Sequence, residues 1–219
     1  NKVIDAYDNY EFDKVYRIIM PFIINEVSAF YLDYTKDVLY IERKDDFERR
    51  AIQSTLYDII FGLIRLFNPI IPHTTSEAYW ELPYQAKEDV YLEDMPQKRE
   101  FRDETLLNAF EIFYNMRDDV LKALEEARTN KIIGKSLESE IKLNLTKTQI
   151  EAYKTLNIDL ELVLISSNVV VNESDAFSVE ITKFDGHVCE RCWRTFKKLN
   201  DNNLCDRCND IVEEFKWIY

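Results

Sequence analysis

A chain of 219 residues with 46% hydrophobic and 32% charged residues has the composition of a globular protein of two modest domains, which excludes a disordered, collagenous or low-complexity chain. Its three glycines, Gly62, Gly134 and Gly186, lie too far apart to share one glycine-rich phosphate loop, which excludes the nucleotide folds built on such loops. A net charge of −13 opposes wholesale wrapping around nucleic acid or an anionic membrane, so any nucleic-acid contact has to be local.

No run approaches the roughly 18 apolar residues of a membrane helix, and the opening segment N-K-V-I-D-A-Y-D lacks a signal peptide's basic and apolar regions. A cytoplasmic protein without a membrane partner is expected. The missing initiator Met and a start inside a helical pattern suggest a piece of a longer chain. From Tyr10 to about Tyr34, Val15, Ile18, Ile19, Phe22, Ile23, Val27 and Phe30 recur at helical spacing, with a kink expected at Pro21. A second helix is predicted from about Asp46 to Phe67, ended by Asn68-Pro69. A short third follows, its start marked by a capping box over Thr74, Thr75, Ser76 and Glu77. After a long polar connection from Pro83 to Glu100, a fourth runs from about Asp103 to Arg128, with Gly134 past its end. These four helices predict an antiparallel-type helical bundle.

Beyond Lys135 the period changes. Ile141, Leu143 and Leu145 alternate with Lys142 and Asn144 as in a half-buried strand, and Thr148 and Glu151 are spaced to cap a short helix to about Leu156. Leu160 to Ile165, Val169 to Val171 and Phe177 to Ile181 read as further strands. The expected organisation is a helical bundle over 1–135, a small α+β unit over 136–184 and a four-cysteine module over 185–219.

The strongest chemical signal is the pair of knuckles Cys189-Glu-Arg-Cys192 and Cys205-Asp-Arg-Cys208. A two-residue spacer lets both sulfurs of a knuckle turn to one centre, and two knuckles supply the four thiolates of a closed structural site, with zinc as the expected metal. The same spacing also admits a rubredoxin-like iron site or two disulfides. His187 is near enough in sequence to compete as a ligand, although a closed four-sulfur site has no further place for it. Such a site activates no water, so the metal is structural.

Arg191 lies inside the first knuckle and Trp193 follows it, with Arg194, Phe196, Lys197 and Lys198 beyond. From Lys183 onward seven basic residues balance seven acidic ones, so the excess negative charge resides in the preceding 182 residues. An indole beside cations is what single-stranded RNA recognition uses; the alternative is an indole packed over the metal site among solvated charges. Arg128, Lys131, Lys135, Lys142 and Lys147 form a weaker cationic run. Gly134-Lys135-Ser136 imitates the end of a P-loop, but Thr129 stands where the first glycine belongs and a helix precedes it instead of a strand. His73 reads as a capping or packing residue, and no nucleophile-base set marks an autonomous active site.

The runs Y-L-D-Y-T-K-D-V-L-Y (31–40), N-P-I-I-P-H-T-T-S-E-A-Y-W (68–80), I-I-G-K-S-L-E-S (132–139), C-E-R-C-W and C-D-R-C closely resemble the C-terminal part of bacterial isoleucyl-tRNA synthetases, over nearly the whole chain. The helical stretch is similar in the valyl, leucyl and methionyl class I enzymes; the four-cysteine finger after it selects the isoleucine family. A similar finger ends certain DNA glycosylases, whose catalytic domain has no counterpart here. Val38 departs from the family, which often has arginine there. The resemblance implies that the whole enzyme activates isoleucine with ATP and charges its tRNA through H-x-G-H and K-M-S-K-S motifs in a catalytic domain. None of these occurs here, so ATP belongs to that other domain and this chain is expected to be inactive alone. The implied role is to hold the anticodon stem and loop, with Cys189, Cys192, Cys205 and Cys208 as zinc ligands and Arg191 and Trp193 as base contacts. Lys131, Lys135 and Lys36 are the expected phosphate contacts. Expected partners are the isoleucine tRNA and the remainder of the same synthetase chain, in a monomer. The competing reading is a zinc-ribbon scaffold that docks proteins and binds no RNA.

Overall fold

The apolar spacing of the first forty residues folds as helix over a longer course than expected. In the computed structural model, which describes residues 1–98 and 102–216, α1 (Lys2–Asp8) leads through Tyr10, with φ of +59°, into α2 (Phe12–Pro21). Pro21 has no amide hydrogen for the ladder, and after it the turns widen into a π-helical stretch, Phe22–Leu32, before α3 (Asp33–Ile41) resumes the α form. The proline loosens the helix without ending it. Within the continuous helix Phe12–Ile41 an 18-residue window reaches a mean hydropathy of 1.3, enough by length and composition alone to cross a membrane, where the sequence reading expected no such segment. That expectation looked for an uninterrupted apolar run, whereas the helix spreads its apolar residues around polar ones. Some of them are used inside the first unit: Val15 and Ile19 join Val3, Ala6 and Phe67 in a buried cluster.

Asp46 caps α4 (Phe47–Phe67) by accepting the Arg49 amide at 2.8 Å, and Asn68-Pro69 ends it as predicted. α5 (Pro72–Trp80) starts two residues before the expected capping box. Pro72 takes the first helical position, where its fixed φ and missing N–H cost nothing, and no side chain caps the helix. The Thr75 hydroxyl instead donates to the Asn68 side chain at 2.9 Å, and that of Ser76 to Asp89 at 3.0 Å. The long connection is pinned from beneath by buried Tyr79, whose hydroxyl accepts the Lys87 amide at 3.1 Å and donates to Glu93 at 2.5 Å. These helices form the first compact unit, residues 1–39 and 43–101.

The second unit comprises residues 102–219 together with Tyr40–Glu42. It includes α6 (Glu104–Thr129). α6 packs on later elements, α7 (Lys147–Leu156) and β3 (Ser178–Lys183), burying Phe113, Met116, Val120 and Leu124. Its left-handed terminating residue is Lys131, with φ of +58°, and not Gly134. β1 (Ser139–Leu145) is central in a three-stranded sheet, parallel to β2 (Asn168–Glu173) on one side and antiparallel to β3 on the other. The parallel pair requires a crossover, supplied by α7 and by α8 (Leu160–Val163). Two sequence expectations change here. Leu160 to Ile165 is a helical turn and no strand, because Asp159 caps it by accepting the Leu162 amide at 3.1 Å. The capping box of α7 is formed by Thr146 and Gln149 in place of Thr148 and Glu151.

The cysteine module adds β4 (His187–Val188) paired with β5 (Thr195–Phe196), then α9 (Asp206–Lys216). It is tied to the sheet through a buried serine. Ser167 Oγ donates to the Leu137 carbonyl and accepts the Thr195 amide at 2.8 Å, while Arg194 pairs with Glu161 at 2.6 Å. Ser167→Ala removes the acceptor of the buried Thr195 amide and is expected to cost about 1–3 kcal/mol, read as a lowered denaturation midpoint with the helical signal of the native protein unchanged.

Candidate metal centre and nucleic-acid interface

The two knuckles are held by their own backbones. The Trp193 amide donates to the Cys189 carbonyl and the Cys189 amide to the Arg194 carbonyl, both at 2.9 Å; in the second knuckle the Asn209 amide donates to Cys205 at 2.9 Å. Between them, the Asn200 side chain accepts the Leu204 amide at 2.8 Å and donates to Asn209 at 2.6 Å, shaping the loop that returns the second pair to the first. At Gly186 a Cβ would stand 2.4 Å from the Phe196 carbonyl oxygen, so only glycine lets β4 approach β5 this closely.

As a result the four sulfurs converge. All lie within 4.8 Å of one another, Cys192 and Cys205 at 3.9 Å, and all four residues are buried with free thiols. Zn–S bonds of ~2.3 Å place the corners of a sulfur tetrahedron about 3.8 Å apart, so this donor set fits one four-coordinate metal. His187 is exposed on β4 and outside this group, as the four-sulfur reading expects. Burial drives the Cys192 thiol far up, the Arg194 amide opposing it and the neighbouring sulfurs adding to it; burial also raises Cys205 to about 11. At Cys189 burial acts in the same direction, but the amides of Cys192, Cys205 and Arg191 outweigh it and the thiol falls to about 7. Four crowded buried sulfurs cannot all ionise unaided; a cation at their centre removes that conflict.

Around the centre, Trp193 and Arg191 are placed very differently. Trp193 is 69% exposed, at a backbone φ of +63°, a conformation that costs a non-glycine residue ~1 kcal/mol or more. Its indole is therefore not sealed over the metal. Lys197 and Lys198 are exposed nearby in sequence, Lys197 with its ammonium 4.6 Å from the Phe184 ring centroid. Arg191 points inward: Nη2 donates to the Ile41 carbonyl at 2.7 Å and Nη1 to the Cys208 sulfur at 3.7 Å. Lys131 and Lys135 are exposed in the same unit, and Lys36 lies in the first unit, exposed and paired with Asp33 at 2.5 Å. Gly134-Lys135-Ser136 is no phosphate cradle, since the Gly134 amide is occupied by Glu138 at 3.0 Å and Ser136 by Arg128 at 3.2 Å. Sequence reasoning missed Ile41 and Glu42, which join the finger from the far end of the chain with no local signal, and Ser167, which lies between two expected strands and carries no motif.

Comparison with known proteins fixes the relationship. Residues 1–143 match the model of the anticodon-binding domain of tRNA ligase. The chain belongs to this family. The family match ends within β1, ahead of the finger. Individual relatives extend further: the isoleucine–tRNA ligase of Acholeplasma laidlawii is 47% identical over 217 residues, 98% of this chain and 24% of that protein. Those of Onion yellows phytoplasma and Pediococcus pentosaceus are 42% and 39% identical over 96% and 98% of the chain. The anticodon-binding chain thus spans about a quarter of the length of these relatives, its finger included.

Elemental analysis of this anticodon-binding domain is expected to find one metal per chain, with no disulfide by mass. Chelation is expected to open 185–216 to proteolysis while the helical signal of the remainder persists; absence of metal from freshly purified protein would contradict this.

Proposed function

We propose that this chain holds the anticodon stem and loop of the isoleucine tRNA, and that its finger, closed by one zinc ion on Cys189, Cys192, Cys205 and Cys208, presents Trp193 to an unpaired base. When bound, the zinc supplies folding free energy and no reaction chemistry. The observation that carries the reading is the exposed indole of Trp193 on a left-handed backbone, set directly after the first knuckle. A flat, solvent-facing ring with fixed attachment offers a stacking platform, and Lys197 and Lys198 offer charge for the backbone of a single strand. Lys131, Lys135 and Lys36 act as phosphate contacts, positioning without reading sequence. Arg191, engaged by Ile41 and Cys208, is assigned to holding the finger in place of a base contact.

Membership of the anticodon-binding family and relatives named isoleucine–tRNA ligase support this over the scaffold reading. By the same inference the chain works in the cytoplasm as part of a longer isoleucine–tRNA ligase, whose ATP-dependent activation and charging lie in its other domains. Recognition then acts by differential binding: a matching anticodon stabilises the complex in which the distant acceptor end is correctly placed.

Trp193→Gly tests the proposal. Glycine tolerates φ of +63°, so metal content and thermal stability should stay the same or rise, while affinity for the anticodon stem-loop should fall by about 5- to 150-fold, the loss of ~1–3 kcal/mol of stacking. Unchanged affinity in the fully metallated variant would overturn it.

A further inference from the structure

The finger does more than converge on a metal, because a distant piece of chain runs through its core. Ile41, only 8% exposed, clusters with the four cysteines and Ile211, and its carbonyl oxygen accepts the Arg191 guanidinium at 2.7 Å across 150 residues of sequence. Next to it, Glu42 pairs with Arg207 of α9 at 3.4 Å, with both side chains largely covered. Ile41 is the last residue of the helix Phe12–Ile41. The last carbonyls of a helix have no intrahelical donor and carry the negative end of its dipole, and the last turn of this helix contains no basic residue of its own. Arg191 supplies the missing cation and donor from the first knuckle.

The same guanidinium also donates to the sulfur of Cys208 at 3.7 Å. One planar group thus bridges a metal-ligating sulfur of the second knuckle and the helix terminus. Its fixed fork makes both bonds at once only when the knuckles stand in their closed arrangement.

We propose that the metal centre is a clasp on the segment Tyr40–Glu42, in which metal loading and the order of this helix end form one coupled equilibrium transmitted by Arg191, a positioning residue. The proposal rests on the four cysteines binding a metal. Filling the site closes the knuckles, fixes Arg191 and seats Ile41 among the sulfurs. Emptying it releases Arg191 and uncaps the helix. Because such coupling is reciprocal, weakening the grip on Ile41 must also weaken the hold on the metal.

Hydrogen exchange on the full chain, zinc-loaded and zinc-stripped, with zinc content measured on each sample, tests both directions. In the stripped chain the amides of residues 39–42 should exchange at least about tenfold faster, while those in the middle of α4 stay as they were. Arg191→Met held in excess zinc should expose residues 39–42 although the sulfurs remain metallated, a result that a purely local role within the finger would not give. Ile41→Ala, which removes no ligand and no charge, should speed zinc transfer to a chromophoric chelator by about tenfold. Equal exchange at 39–42 in loaded and stripped chains, or wild-type zinc release from Ile41→Ala, would overturn the clasp while leaving the metal site intact; a chain that binds no zinc would overturn both.

Discussion

Among the described residues, the finger's own buried hydrophobic core is Cys189, Cys192, Cys205, Cys208 and Ile211, joined by Ile41 from the helix end, with Phe196, Leu199 and Leu204 packed at its margin. Apolar area on that scale does not offset the entropy of ordering the loop, and pieces of chain this small usually need a metal or a disulfide to fold. The four sulfurs converge with free thiols, so the constraint that shapes the finger is their convergence on one centre, where the proposed metal would sit. Trp193 can face solvent at an unfavourable φ because knuckle hydrogen bonds on either side determine the backbone there. The metal centre, the proposed stacking surface and the clasp on Ile41 all depend on that closure.

A net charge of −13 would defeat an RNA-binding surface spread over the whole molecule, and the distribution of charge resolves the difficulty. From Lys183 onward acidic and basic residues balance, and several cations of the finger are already committed: Arg191 to Ile41, Arg194 to Glu161, Arg207 to Glu42. These arginines therefore hold the module together, and Lys197 and Lys198 are left on its surface. This division follows from chemistry, since a planar guanidinium serves a buried fork of acceptors better than a strongly hydrated ammonium does.

The chemistry of the metal centre was legible because it is local: two C-x-x-C knuckles state their geometry in eight residues, and the structure brings those four sulfurs together. Helix α4 was legible from its period and from Asp46 and Asn68-Pro69 at its ends. What was illegible depended on competition between neighbours or on long separations. The apolar stretch Leu160 to Ile165 is too short for periodicity to separate strand from helix, and the Asp159 cap decides it. Thr74 to Glu77 fits a capping box, but Pro72 starts the helix earlier. The inward bond of Arg191 was illegible because the acceptor it meets, the Ile41 carbonyl, is a backbone atom 150 residues away with no sequence signature.

If closure of the four sulfurs is what presents the RNA-binding face, then RNA affinity has to follow metal occupancy. The direct measurement is a titration of the isoleucine anticodon stem-loop against the same protein with zinc bound, stripped and restored, at fixed salt. The expected result is a loss of about tenfold or more on stripping, recovered on reloading and proportional to the zinc content in between. Equal affinity of the stripped and loaded protein would contradict the role assigned to the metal centre and move recognition to the helical unit.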